Sequence, residues 1–326
     1  MTLTHVGEEP LSQPAGSIVI PNFNGARHLP TCLNSLRRQT FRDFETLVID
    51  NGSSDGSLKL LLEGYPEVRV IQRRSNRSFF SGAVNEGIRR AKGDIIVLLN
   101  NDTETEPDWL EELLKALGAD KMTGIAASKM LLFDRRDVLN SAGDFYGLDG
   151  MPGNRGVWER DLGQYDESTD VFGACAGAAA YRRSMLEAIG MFDEDFVGYC
   201  EDVDVNFRAR LAGYRVVFAP KARVYHRLSA TGSGPLASYL CGRNFINVII
   251  KDMPGELLLR HWRRILVGQL RYTRRSLLHL REPAARAWLR GQMAGLLGLP
   301  RMLAKRRAIQ TSRKISIRQL ESVLSG

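Results

Sequence analysis

The chain has 326 residues, of which 44% are hydrophobic, enough to bury a sizeable core in one large or two smaller domains. No stretch reaches the roughly 18 uninterrupted apolar residues of a membrane span, so the sequence predicts a chain that does not cross a bilayer. Cys32, Cys175, Cys200 and Cys241 show no paired metal spacing and read as reduced thiols of a cytoplasmic protein. The formal charge of +8 is uneven. Residues 251–326 hold 17 Lys and Arg against 4 Asp and Glu, a net +13, which leaves −5 on residues 1–250.

Residues 1–16 are polar, contain Glu8, Glu9, Pro10 and Pro14, and read as a flexible leader without a signal segment. Strand and helix then alternate. Strands are predicted over 17–20, ending at Pro21, and over 46–49, 68–71 and 95–99. Helices are predicted over 29–38, with Leu33 and Leu36 on one face, over 58–63 and over 83–92. Such alternation predicts an α/β fold with a mostly parallel sheet. Gly173-Ala174-Cys175-Ala176-Gly177-Ala178-Ala179-Ala180 admits two readings, close packing or close backbone approach to a ligand. Residues 206–213 read as a helix with a glycine stop, 216–219 as a strand, and Val224-Tyr225-His226 closes the block.

Polar residues gather at the strand ends: Asn22 and Asn24 after the first, Asp50 after the second, and Asn100-Asn101-Asp102 after the fourth. In an open α/β sheet this rim is where ligands lie. Neither G-x-G-x-x-G nor the P-loop pattern is present, so a nucleotide there would be held by side chains and a cation more than by a glycine cradle. Asp102 alone is open to two readings, a site for Mn2+ or Mg2+ or a cap on the next helix.

Five segments in order carry a family resemblance: Ile18-Val19-Ile20-Pro21-Asn22-Phe23-Asn24-Gly25; Val48 to Ser57, with Asp50-Asn51-Gly52-Ser53-Ser54-Asp55-Gly56; Leu98-Leu99-Asn100-Asn101-Asp102; Glu201-Asp202-Val203-Asp204; and Ala212-Gly213-Tyr214-Arg215 running to His226. Together they resemble the inverting family 2 glycosyltransferases of the GT-A fold, over about residues 17–228. The Asn-Asn-Asp form of the metal motif is most similar to the rhamnosyltransferase-like branch. The resemblance implies a mostly parallel, Rossmann-like sheet with helices on both faces. It implies a nucleotide-sugar-binding half over 17–118, a metal- and acceptor-binding half over 119–240, and a basic helical segment over 241–326.

It also implies roles. Asp50 would accept from the imide N–H of a uracil or thymine ring, with Phe23 against the base and Pro21, Asn22, Asn24, Asn76 and Asn85 around the donor. Asp102 would bind a cation bridging the donor diphosphate, with Asn101 beside it and His226 as a second ligand. Asp202 would be the general base that inversion requires, with Glu201 and Gly177 toward the acceptor. Glu201 and Asp202 would equally suit the start of a helix. Two departures from the family stand out: Ser78 where relatives have glycine, and Asn100-Asn101 where they have acids, which leaves Asp102 as the lone carboxylate.

The implied activity is transfer of a sugar from a dTDP- or UDP-linked donor to a glycan or lipid-linked acceptor of the cell envelope. The competing reading is an inactive scaffold of the same fold. Residues 258–281 form an amphipathic pattern, with Leu258, Leu259, Trp262, Ile265, Leu266, Leu270, Leu277 and Leu280 toward one side and Arg260, Arg264, Arg271, Arg274 and Arg275 toward the other. Glu282-Pro283 is the expected stop, and further basic helices are expected over 284–297 and 301–310. This segment predicts attachment to an anionic membrane surface, on the inner face of the plasma membrane. Its arginines are not interleaved with aromatics in a nucleic-acid motif, so no nucleic-acid partner is expected. Oligomerisation is left open.

Overall fold

The computed structural model describes residues 13–73, 79–227 and 234–324. β1 (Gly16–Asn22), α1 (Leu29–Arg37), β2 (Phe44–Asp50), α2 (Ser57–Gly64), β3 (Val68–Gln72), α3 (Phe79–Arg90) and β4 (Ile95–Leu99) follow the expected alternation. β1 continues through Pro21 because its pairing with β4 has already ended at Val19 opposite Leu98, while β2 still accompanies it to Asn22 opposite Asp50. The next elements are β5 (Thr103–Thr105), α4 (Trp109–Gly118), β6 (Thr123–Leu132), β7 (Arg135–Ser141), β8 (Asp144–Tyr146), β9 (Pro152–Asn154), β10 (Ala178–Arg182), α5 (Arg183–Ile189), α6 (Glu201–Leu211) and β11 (Arg215–His226). The helix expected over 206–213 therefore starts five residues earlier, at Glu201.

One sheet runs β3-β2-β1-β4-β10-β6-β11-β5, with β7 paired to β6. Its first four strands are parallel; β10 enters antiparallel between β4 and β6. The small-residue run resolves here. Ala178, Ala179 and Ala180 are buried in β10, where side chains of both sheet faces are enclosed, so this part of the run serves packing. Val19, Leu47, Leu98 and Ala179 belong to an apolar core with α3 and α5, and Ile18, Val48, Val97 and Ala180 to one with α1 and α4. Helices thus cover both faces of the sheet.

The remaining helices are α7 (Pro235–Lys251), α8 (Gly255–Leu278), α9 (Pro283–Leu297), α10 (Leu299–Thr311) and α11 (Ile317–Glu321). The division expected between residues 240 and 241 falls inside α7. The C-terminal segment packs onto the α/β body: Val248, Met253, Leu257 and Leu320 share a buried cluster with Tyr146, Phe172, Phe196 and Phe207. Buried charge joins them too. Lys251 reaches Asp193 (2.7 Å) and Asp204, and Lys305 of α10 bridges Asp193 and Asp195 at 2.6 Å each. Burial works against ionisation of Asp193, but Lys251 and Lys305 outweigh it and hold that carboxyl well below the usual range. The leader expected over 1–16 lies largely outside the described residues, and β1 already begins at Gly16.

Candidate active site

The C-terminal rim of β1, β2 and β4 opens on a cavity of about 450 Å³, a size suited to a small-molecule ligand. Pro21, Asn22, Phe23, Asn101, Asp102 and His226 line it, as do Gly177, Glu201 and Asp202. Segments that lie far apart in the sequence are thereby joined.

Three expected donor residues have side chains engaged by neighbouring groups of the chain. Asp50 is fully buried, and its carboxylate is occupied: one oxygen accepts from Asn22 Nδ2 (2.9 Å) and Ser53 Oγ (2.6 Å), the other from the Gly52 and Ser53 N–H groups. These bonds organise the β2 turn and orient Asn22. Asn85 is consumed likewise, donating to Phe192 O (2.8 Å) and Glu194 and accepting from Phe192 N–H (3.0 Å), which ties α3 to the 192–194 segment. Asn24 turns its side chain outward to cap Ser54 N–H (2.9 Å) from a left-handed φ of 51°. Asn76 lies outside the described residues.

Asn101 Nδ2 donates to Asn22 Oδ1 at 2.6 Å, which locks the ends of β4 and β1 together. Gly25 makes room for that bond, since a Cβ there would lie 2.2 Å from Asn101 Nδ2 and 2.3 Å from Asn22 Oδ1. Gly177 is also close-packed: its carbonyl accepts from Asn100 N–H (2.8 Å), and a Cβ would meet Asn100 at 3.2 Å.

Asp102 and His226 meet because β5, which follows Asp102 directly, pairs antiparallel with the end of β11, setting His226 opposite Thr103. Asp102 Oδ1 and His226 Nε2 are 3.3 Å apart. His226 Nδ1 donates to Asn140 Oδ1 (2.8 Å), which orients the ring with Nε2 facing the carboxylate. A carboxylate oxygen and an imidazole nitrogen facing one another suit a shared divalent cation, and adjacent ligands in an octahedral shell sit about 3.0 Å apart. Among the described residues no group of three His, Cys, Asp or Glu could hold a metal. The pair therefore fits a cation whose other ligands come from water and a bound phosphate group.

Asp202 stands in the first turn of α6, where the helix dipole favours its charge. Ala176 N–H (3.2 Å) and Val203 N–H (2.8 Å) donate to it, but burial outweighs these bonds and raises its carboxyl above the usual range. Burial raises Glu201 well above that range, as does the neighbouring Asp202, and Glu201 Oε2 has no hydrogen-bond partner among the described residues. Asp144, at the start of β8, is pushed up to about 7 by burial and then by the charge of Asp202.

The turn into α6 is strained. Val197, Tyr199 and Cys200 hold left-handed φ values of 67°, 62° and 64°, a region costly for side chains other than glycine. Helix α7 restrains it: Asn244 Nδ2 donates to the carbonyls of Phe196 (3.0 Å), Gly198 (3.0 Å) and Tyr199 (2.6 Å), and Arg243 holds those of Asp195 and Phe196. Cys241 and Phe245 of the same helix line the cavity. Asn140, Asp144, Asn154, Tyr199, Phe245 and the restraining Asn244 were not singled out from the sequence. They sit in short strands, the turn before α6 and a helix, whose local patterns carry no spacing signal.

The family model for glycosyl transferase family 2 matches residues 17–190. The chain belongs to that family. Among curated relatives it is 28% identical over 227 residues to the O-antigen biosynthesis protein RfbC of Myxococcus xanthus, covering 67% of this chain and 18% of that protein. It is 29% identical over 291 residues to the N-acetylglucosaminyl-diphospho-decaprenol L-rhamnosyltransferase of Mycobacterium tuberculosis, covering 81% of this chain and 91% of that enzyme. The chain spans about a fifth to a quarter of the first two curated relatives it matches. Among solved structures, the mannosyltransferase PcManGT of Pyrobaculum calidifontis with GDP-Man and Mn2+ superposes with a TM-score of 0.56 at 18% identity, over 95% of this chain and 89% of that one. TarS of S. aureus with UDP-GlcNAc gives 0.57 at 19%, over 91% and 90%. The fold of this chain is GT-A, with a largely parallel sheet and a helical C-terminal region.

Proposed function

We infer that this glycosyltransferase moves a sugar, with inversion, from a dTDP- or UDP-linked donor to a glycan or lipid-linked acceptor of the cell envelope. The observation that carries the reading is the convergence of the Asp102–His226 pair and the Asp202 carboxylate on one cavity. The relative that acts on a diphospho-decaprenol substrate supports a lipid-linked acceptor and L-rhamnose as the sugar.

Asp102 and His226 would hold Mn2+ or Mg2+, whose charge stabilises the departing diphosphate. Asn22 and Asn101, bonded to one another, form the wall of the cavity on the donor side, and Phe23, 41% exposed, offers a ring face to the base. Asp202 takes the proton of the acceptor hydroxyl as its oxygen bonds to the anomeric carbon. The bond from that carbon to the phosphate oxygen breaks, and the diphosphate leaves with the electron pair. Glu201 and Gly177 shape the acceptor side.

The test is donor-dependent release of nucleoside diphosphate in the presence of a polyprenyl-diphosphate sugar. Asp202→Asn keeps shape and hydrogen bonding but not proton acceptance, and should lower turnover about 10²-fold or more with donor affinity unchanged by calorimetry. Absence of turnover in the wild type with every donor tried would favour the scaffold reading. Near-wild-type turnover in Asp202→Asn would reassign the base.

A further inference from the structure

The packing of α8 divides the apolar pattern that the sequence placed on one side of this helix. Leu257 is buried, Leu258 and Ile265 are partly covered, and Gly268 and Ser276 face inward. Leu259 remains 81% exposed, and Trp262, Leu266, Leu270 and Leu277 are 49–54% exposed. Their spacing of 3, 4, 4 and 7 residues forms a continuous stripe along one face of the helix. Together they expose on the order of 500 Å² of side chain, the size of the largest patch on a typical monomer, which is often functional. Met293 and Leu297, at 58% and 77% exposure, extend the apolar exposure on α9, which packs against α8.

The basic residues divide in the same way. Lys251, Arg301 and Lys305 are committed to Asp193, Asp195 and Asp204. By contrast, Arg263, Arg264, Arg271, Arg274 and Arg275 are exposed, and among the described residues none has an acidic partner within ion-pair distance. Arg263 and Arg274 lie one turn beyond Leu259 and Leu270, beside the stripe. Arginine stems can lie along apolar surface while their guanidinium groups reach outward to phosphate.

We propose that the outward face of α8 is a docking surface for an anionic lipid bilayer, with the Leu259–Leu277 stripe in the acyl boundary and the flanking arginines on headgroup phosphates. An apolar stripe bordered by cations without carboxylate partners among the described residues, Arg263 lying over the Trp262 ring at 5.4 Å, matches a surface that is apolar beneath an anionic layer. A protein partner or a second copy would have to bring its own carboxylates to five arginines. No helix among the described residues is long and apolar enough to cross a membrane, so contact through α8 would be peripheral.

The test is sedimentation of the full chain with phosphatidylcholine vesicles carrying 0 or about a third phosphatidylglycerol, at low and high salt. Binding should be at least tenfold tighter to the anionic vesicles and weaken with salt. Trp262 fluorescence should be quenched by brominated acyl chains. Trp262→Leu should keep binding and lose most of the quenching, whereas Leu259→Ser with Leu266→Ser, or Arg263→Glu with Arg274→Glu, should lower affinity at least tenfold. Turnover on a soluble acceptor should be unchanged in all of them. Equal binding to neutral vesicles, no binding, or undiminished binding by both double variants would overturn the proposal. So would a dimer in solution that Leu259→Ser with Leu266→Ser dissociates.

Discussion

Asn244 is the position where loss of a single amide should act on catalysis at a distance. Its NH2 group has two hydrogens and serves three carbonyls, those of Phe196, Gly198 and Tyr199. Asn244→Ala removes about two hydrogen bonds' worth of stabilisation, roughly 1 kcal/mol each, and leaves buried carbonyls unpaired. Alanine returns about half a kcal/mol through helix propensity, for a net loss of about 1.5 kcal/mol. The restraint opposes three left-handed residues, Val197, Tyr199 and Cys200, each costing about 1–3 kcal/mol. Without it the turn relaxes, and the start of α6 moves with Asp202 on it. A displacement near 1 Å at a reacting group costs about 10²-fold in rate. Asn244→Ala should therefore lower kcat 10- to 100-fold. Donor affinity by calorimetry should stay within about threefold, because Asn22, Asn101 and Asp102 stand on other elements. Val197→Gly added to this variant should recover part of kcat, since glycine accepts a φ near 67° without strain. A kcat that stays at the wild-type value, or donor affinity that falls in step with kcat, would refute the reasoning.

Other outcomes follow from the same geometry. Glu201→Gln should raise acceptor KM while leaving donor binding intact, and steady-state kinetics with each substrate varied in turn would expose any other pattern. Asp102→Ala and His226→Ala should each weaken Mn2+ binding in the presence of UDP by about tenfold or more, measured by electron paramagnetic resonance; unaltered binding in both would remove the pair from cation holding. Asn140→Ala should weaken it less, since His226 then loses only its orienting bond. Asp144, raised to about 7 when folded, favours the native state below its unfolded value and loses that contribution as pH rises from about 4 to about 7. The difference is on the order of 4 kcal/mol. Urea unfolding of Asp144→Asn should show a shallower decline in stability across this interval than the wild type, and parallel curves would count against a buried, protonated Asp144.

The four parallel strands, the polar rim at their ends and the place of Asp102 were legible in the sequence because each depends on contiguous residues. Ile95 to Leu99 is an apolar run that ends in Asn100-Asn101-Asp102, and a buried strand writes itself as such a run. The helix carrying Asp202 was legible in type but not in its starting residue, since the turn before it is held by Asn244 and Arg243 from a helix over forty residues away. The hydrogen-bond partners of Asp50 and Asn85 were decided by tertiary structure. A carboxylate or amide at a strand or helix end can face a ligand or its own scaffold, and only the surrounding N–H and carbonyl groups select between these. Pairing of Asp102 with His226 likewise required β5 to meet β11, a contact that no local periodicity encodes. The same limit applied to α8. Period and composition established that one side is apolar, but docking against the body chose which leucines were buried and which were left outward. A sequence specifies what a helix can cover; its neighbours determine how much of that surface is already taken.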